Sequence, residues 1–539
     1  MDKTAIKNFA IEARKTLMKS AVSRAGFYGI TVDEIGAPIQ RGADFEIYKT
    51  VAGTENRIFG KDIERRKNLV RAIEERGFDQ VIEETAYTWF NRLIAIRFME
   101  VNDYLPTRTR VLSSETGNRT PDIVSQYMDL EIGLSSTELE KVQTAVNENR
   151  YDDAFQLLFV KQCNALNEIL PGLFEKTDDY MELLLDISYT GDGVVRSLVD
   201  GIDEANFDVS KEGQVEIIGW MYQYYNTELK DDTFAKLQKN IKISRERIPA
   251  ATQLFTPDWI VRYMVENSVG RVWIEHLRAV NPTIDEKKKV EEFGWKYYLP
   301  EAEQDEDVTK QLGEVRKSYK DITPQDITCI DPCMGSGHIL VYMFDVLMDI
   351  YISEGFSEKS AVYDILSKNI FGLDIDQRAY QLSYFALMMK GRSYGGRRFF
   401  RVQENRNGNY ETVEPHVYTI VESNSINRTQ FEFYGSDLDG LTRQKALKQL
   451  NEFLDSMNDA KEYGSILRVD NYDWYTLRLF VNNYNNEGQM SFESVGAYAQ
   501  KKTLLRLISI GETLSAKYKV VVTNPPYMPV SNGSKKLIQ

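Results

Sequence analysis

At 539 residues the chain is too long for one ordinary domain, and 42% apolar with 27% charged residues gives it a globular composition. Thirty-three Gly and 14 Pro exclude collagen-like and low-complexity classes, and three Cys exclude a disulfide scaffold and suit a reducing cytoplasm. A net charge of −15 excludes a protein that coats nucleic acid by charge alone, although residues 1–80 carry a slight excess of base and the acid is concentrated in 81–250.

No apolar run reaches the length that crosses a bilayer, and residues 1–20 lack the continuous apolar stretch of a signal peptide, so no membrane association is expected. His276, His338, His416, Cys163, Cys329 and Cys333 fall into no CxxC or HExxH spacing, so no metal site is expected from them. A magnesium site built from carboxylates alone stays open.

Residues 1–235 read as a helical N-terminal domain. Ile82, Ala86, Trp89, Phe90, Leu93, Ile96 and Met99 recur at helical spacing, and strand-like alternation is scarce. Trp220, Tyr222, Tyr224 and Tyr225 are either half-buried core aromatics or a surface that meets partners or bases. Lys236, Lys239, Lys242, Arg245 and Arg247 are either a solvated face or a strip facing phosphate.

Next, FTPDWIVRYMVENSVG gives a loop and an apolar helix, with Thr256 as N-cap and Pro257 at the first helical position. Residues 281–325 are charged and read as a surface excursion. From 326 the pattern becomes α/β. Strands are predicted at Ile327–Ile330, Ile370–Leu373, Val417–Val421 and Tyr518–Val522, with helices at His338–Met348 and Ala379–Met389. Such alternation implies right-handed crossovers and a parallel sheet. An insertion at about 430–515 contains one helix marked by Leu447, Leu450, Phe453, Leu454 and Met457.

Three segments carry chemistry. In ITCIDPCMGSGHIL a strand ends at Asp331, and Gly335 and Gly337 make a tight turn into a helix. Open α/β sheets bind ligands at this end of their strands. The third Gly of a dinucleotide fingerprint is absent, as is the Gly-Lys-Ser/Thr of a nucleotide P-loop. The bland alternative is an ordinary βα turn. In NIFGLDIDQRA a second strand ends in Asp374, which can accept both hydroxyls of a ribose, with Ile375 then against an adenine face. Asp376 is expected to cap the next helix. In VVVTNPPYMPV a strand runs into Asn524, Pro525, Pro526 and Tyr527. The Asn524 oxygen and the Pro525 carbonyl can accept both hydrogens of one amino group, while Tyr527 stacks on a planar base.

In this order the segments resemble the amino-group DNA methyltransferases of the N6-adenine, gamma arrangement. The helical N-terminus, EIIGWMYQYYN and KISRERIPAATQLFTPDW resemble the methyltransferases of BREX phage-defence systems. The resemblance implies a Rossmann-like class I catalytic domain over 236–539, with S-adenosyl-L-methionine as cofactor. Asp331, Gly335, Gly337, Asp374 and Ile375 would hold that cofactor, with Phe255, Thr256 and Pro257 at its methionine end. It also implies double-stranded DNA as substrate and other BREX defence proteins as partners. Where family members often carry an Asp after the third strand, this chain reads IVESNSIN, so Asn424 is carried to the adenine of the cofactor. His338 is expected to be a first-turn helix residue rather than a base, and Cys333 a packing residue.

The family sheet has more strands than are visible, and the chain stops shortly after Tyr527, so a truncated product lacking its target-recognition domain is expected. Two other readings stay open. One is a methyltransferase acting on protein glutamine or RNA, where the same Asn-Pro-Pro-Tyr segment also occurs. The other is a catalytically incomplete interaction module.

Overall fold

The computed structural model describes residues 2–175, 179–211, 214–239, 256–400, 413–484 and 492–527, with a few isolated positions between them. The chain divides into two compact units, Met1–Glu228 with Arg397–Thr412 and Leu229–Gly396 with Val413–Gln539.

The first unit is built on long helices. Helix α1 (Lys3–Phe27) starts at Asp2, whose carboxylate accepts the amides of Thr4 and Ala5. Between α1 and α2 (Lys61–Arg76) lies an antiparallel sheet of β1 (Gln40–Arg41), β2 (Phe45–Lys49) and β3 (Glu55–Phe59). The sequence reading misses this sheet. Tyr48 and Ile58 point inward, but Phe45 is only half-buried and Phe59 is exposed, so apolar residues occupy both faces and hide the alternation. Helix α3 (Phe78–Val101) follows the predicted spacing, with Trp89, Phe90, Leu93, Ile96 and Met99 all buried. Its buried Arg97 and Glu100 pair at 2.7 Å, and Glu100 also accepts the amides of Val111 and Leu112. The buried charges are thus paired and hydrogen-bonded, as burial requires.

The aromatic run lies in a helix at Ile217–Tyr225. Tyr222 and Tyr225 are buried against Tyr87, which makes them core residues. Trp220 and Tyr224 are half-buried and stacked on each other.

In the second unit, Lys236 and Arg247 of the basic run both pair with Asp232; Lys242 and Arg245 lie outside the described residues. Helix α4 (Asp258–Val265) continues through one wider turn at Glu266–Gly270 into α5 (Arg271–Val280). Its N-cap is Pro257, one residue later than expected, and no side chain caps it. The charged stretch that follows carries helices at Glu286–Phe293 and Glu306–Lys317, the second with no buried residue.

The α/β core is a four-strand parallel sheet. Strands β4 (Cys329–Asp331), β5 (Ile370–Asp374), β6 (His416–Thr419) and β7 (Val520–Val521) lie in the order β6-β5-β4-β7. Asp331 is opposite Gly372, Asp374 opposite Thr419, and Cys329 opposite Val520. Helix α6 (His338–Ser353) follows β4, and α7 (Gln377–Gly395) follows β5. On one face Gly372 is pressed by Met334 and Leu340, so that a Cβ there would stand 2.6–2.7 Å from their side chains. On the other face Ile330, Leu373 and Ile420 share one core with α8 (Gly440–Ser456), α9 (Trp474–Asn482) and α10 (Phe492–Ser515). The insertion is therefore the second helical layer that a parallel sheet needs on its open face. Among the described residues no helix is long and apolar enough to cross a membrane.

Candidate active site

Parallel pairing brings the ends of β4 and β5 side by side, and with them two carboxylates. Asp331 is 1% exposed and accepts the amide of Cys333 at 3.0 Å. Asp374 accepts the amides of Gly335 at 2.9 Å and Asp376 at 2.9 Å. One acid thus turns the chain out of β4, and the other clamps the glycine turn to the end of β5. Burial, aided by the neighbouring Asp374, pushes the Asp331 carboxyl up to about 7. Burial pushes Asp374 up to about 6, against the pull of its amide donors.

The two glycines serve different needs. Gly335 has φ 53° with open space around it, so the turn needs its left-handed backbone. Gly337 has φ 84°, and a Cβ there would stand 2.6 Å from Ser383 Oγ and 2.9 Å from its Cα. Close packing of α6 on α7 therefore adds to its backbone requirement. Asp376 caps α7 as expected, accepting the amide of Arg378 at 3.0 Å.

The segment after β7 meets the start of α4. Asn524 donates from Nδ2 to Thr256 Oγ1 at 2.9 Å across 268 residues of sequence. Tyr527 donates its hydroxyl to Asn524 Oδ1 at 2.5 Å, while its side chain is 70% exposed. With Nδ2 held by Thr256, Oδ1 has a fixed direction and one lone pair beyond the Tyr527 bond. Pro525 and Pro526 are exposed beside it. Thr256 is buried and accepts this bond instead of capping α4. Phe255 lies outside the described residues.

His338 opens α6 and faces Asp258 of α4 at 3.8 Å. The facing His338 chiefly, and the hydrogen bond from Arg262 at 2.7 Å, hold the Asp258 carboxyl down to about 2 against the effect of burial. This pair ties the start of α4 to the glycine turn. Cys333 is half-buried, with Sγ 3.3 Å from Ser465 Oγ.

Asn424, which the resemblance carries to the adenine of the cofactor, lies beyond β6 and is bonded to Asp459. It is exposed, donates to Asp459 Oδ1 at 3.0 Å and accepts the Asp459 amide at 2.9 Å. Its amide is thus engaged with the insertion. Sequence reasoning missed Ser465 and Asp459 entirely, because nothing in a helical insertion announces which of its turns returns to the strand ends.

A parallel sheet sandwiched by helices, with a glycine turn and two acids at its carboxyl edge, is consistent with an α/β methyltransferase fold. Residues 368–539 match the family described as Eco57I restriction-modification methylase. Over 100% of its length the chain is 43% identical to the adenine-specific methyltransferase PglX of Lacticaseibacillus casei (strain Zhang), covering 43% of that protein. Over 98% of its length it is 34% identical to the adenine-specific methyltransferase BrxX of Escherichia coli O9:H4 (strain HS), covering 42% of it. The chain is PglX-like, as its motifs lead one to expect, and it spans less than half the length of these relatives.

Proposed function

We propose that the second unit transfers a methyl group from S-adenosylmethionine to the exocyclic N6 amine of adenine in double-stranded DNA, as part of phage defence. The observation that carries this reading is the Asn524–Thr256 bond, which joins the Asn-Pro-Pro-Tyr segment to the Phe-Thr-Pro segment. The residues at the strand ends fit the cofactor. Gly335 leaves backbone unshielded at the turn, and Asp374 offers acceptors to ribose hydroxyls. Raised acids there also favour a cationic ligand, because such a ligand stabilises their ionised forms. Bound there, S-adenosylmethionine supplies an electrophilic methyl group.

The chain's own residues supply positioning. Tyr527 presents an exposed ring on which an extruded adenine stacks, and extrusion costs on the order of a few kcal/mol. Asn524 Oδ1 and the Pro525 carbonyl accept the two amino hydrogens and draw the nitrogen lone pair out of conjugation. No covalent enzyme intermediate is needed, so the catalysis is orientation and electrostatics. The names of the relatives, both adenine-specific methyltransferases, support the acceptor.

The test is calorimetric titration of the whole chain with S-adenosylmethionine, followed by labelled methyl transfer to duplex DNA, RNA and protein. Binding that Asp374→Ala abolishes, with label in DNA adenine alone, is the expected result. Label in RNA or protein would overturn the acceptor. Absence of binding by the folded chain would overturn the cofactor.

A further inference from the structure

Leaving α8, the chain does not return directly to the core. Asp459 takes a left-handed conformation with φ 54°, a short helix covers Ala460–Tyr463, and Gly464 has φ 55°. Non-glycine residues rarely adopt positive φ, so something must hold Asp459 there. Contacts at the ends of three adjacent strands hold this segment. Beyond β6, Asn424 makes its two bonds to Asp459, and Glu422 accepts the Lys461 amide at 3.3 Å, while Ser423 Oγ donates to the Leu454 carbonyl of α8 at 2.5 Å. Beyond β5, a Cβ at Gly464 would stand 3.4 Å from Ile375 Cγ2, so the backbone lies against that side chain. Beyond β4, Ser465 Oγ meets Cys333 Sγ at 3.3 Å.

We infer that residues 458–466 form a strap that walls the cofactor pocket on the insertion side, and that Asn424 is a positioning residue which latches this strap. The inference rests on the methyltransferase reading of the strand ends. Core packing does not explain the strap: Ala460 is buried, but Tyr463 is 37% and Ile466 71% exposed. Its polar ties go to residues at the carboxyl ends of the strands, where open α/β sheets bind ligands. Held by Asn424, the strap buttresses Ile375 and the turn at Cys333, and so sets the width of the slot for the adenine of the cofactor. Asn424 then acts on the ligand through Asp459 and not by touching it.

The test uses the whole chain, S-adenosylhomocysteine in calorimetry, and alkylation of Cys333 by N-ethylmaleimide read by mass spectrometry. Cys329 is fully buried in β4 and reports whether the fold is intact. Asn424→Ala and Asp459→Ala should each weaken binding about tenfold, the worth of roughly one hydrogen bond. Both should also speed alkylation of Cys333 several-fold without ligand, with Cys329 still protected. Should either variant expose Cys329, Ser465→Ala, which removes only the Cys333 contact, should give the same faster alkylation and a smaller loss of affinity. Loss of affinity in Asn424→Ala alone, with Cys333 unchanged, would mean direct contact with the ligand and overturn the strap. Wild-type affinity in all variants would overturn it as well. No binding by the wild type would instead overturn the methyltransferase reading beneath it.

Discussion

At the scale of the residue, the proposed chemistry turns on how Asn524 is held. An amide free to flip would offer an acceptor half the time and a donor otherwise. Thr256 holds one end of the amide and Tyr527 the other, so the plane and direction of the side chain are set by two bonds. Asn524→Ala should therefore lower single-turnover methyl transfer by at least about a hundredfold, as loss of a positioned acceptor at a reacting amine does. Thr256→Val should lower it about tenfold, for one orienting bond. The double variant should be no slower than Asn524→Ala, because Thr256 has nothing left to orient. A fully additive loss would give Thr256 an independent role, such as the cofactor contact that the resemblance implies. Sequence shows both residues as members of motifs, but their bond joins positions 268 apart. Local pattern instead makes Thr256 a helix cap, and the long-range partner wins.

At the scale of the element, strands β4 and β5 are legible because short apolar runs end in turn residues. The sheet of β1–β3 is not, because Phe45 and Phe59 put aromatic surface outward. The insertion is half legible. Its apolar spacing predicts α8 correctly, yet spacing on one helix says nothing about what the helix covers. Phe453 shows the answer, since it is fully buried against Tyr472 and Trp474. A Cβ at Gly511 would stand 2.4 Å from the Phe453 ring, so α10 crosses at very close range. If these helices are a layer of the core, Phe453→Ala should destabilise the second unit by about 3–5 kcal/mol. Leu441, on the same helix but 81% exposed, should tolerate alanine within about 0.5 kcal/mol. Urea unfolding of the two variants checks this. Equal midpoints would mean that the insertion is not a layer of the core.

At the scale of the whole molecule, both units hold acids lowered by their partners, Asp258 of the second unit among them, but among the described residues the acids raised to about 6 or 7 lie in the second unit, and this separates their responses to pH. In the first unit, Glu138 is drawn down to about 2 because hydrogen bonds from Lys161 and Ser135 outweigh its burial. Glu204 is lowered chiefly by its hydrogen bond to Arg110. In the second unit, burial raises Asp331 to about 7 and both Asp349 and Asp374 to about 6. A lowered acid binds fewer protons folded than unfolded, so its stabilisation is present above its unfolded pKa and is lost as pH falls toward about 2. A raised acid binds more protons folded than unfolded. Its contribution is full at low pH and fades as pH climbs from about 4 to about 7. Between pH 5 and 7.5 the second unit should therefore lose thermal stability while the first stays nearly level. Below pH 4 both units should weaken, the first through Glu138 and Glu204 and the second through Asp258. Scanning calorimetry resolves this when the transitions are assigned with S-adenosylhomocysteine, which raises only the unit that binds it. The same ligand tests the origin of the fall. S-adenosylmethionine carries a sulfonium charge that favours ionised Asp331 and Asp374, so its affinity should rise over pH 5–7.5 more steeply than that of uncharged-sulfur S-adenosylhomocysteine. Parallel pH profiles for the two ligands would place the titrating acids away from the pocket, at Asp349 beneath Trp295, where the bond from the indole Nε1 is 3.1 Å.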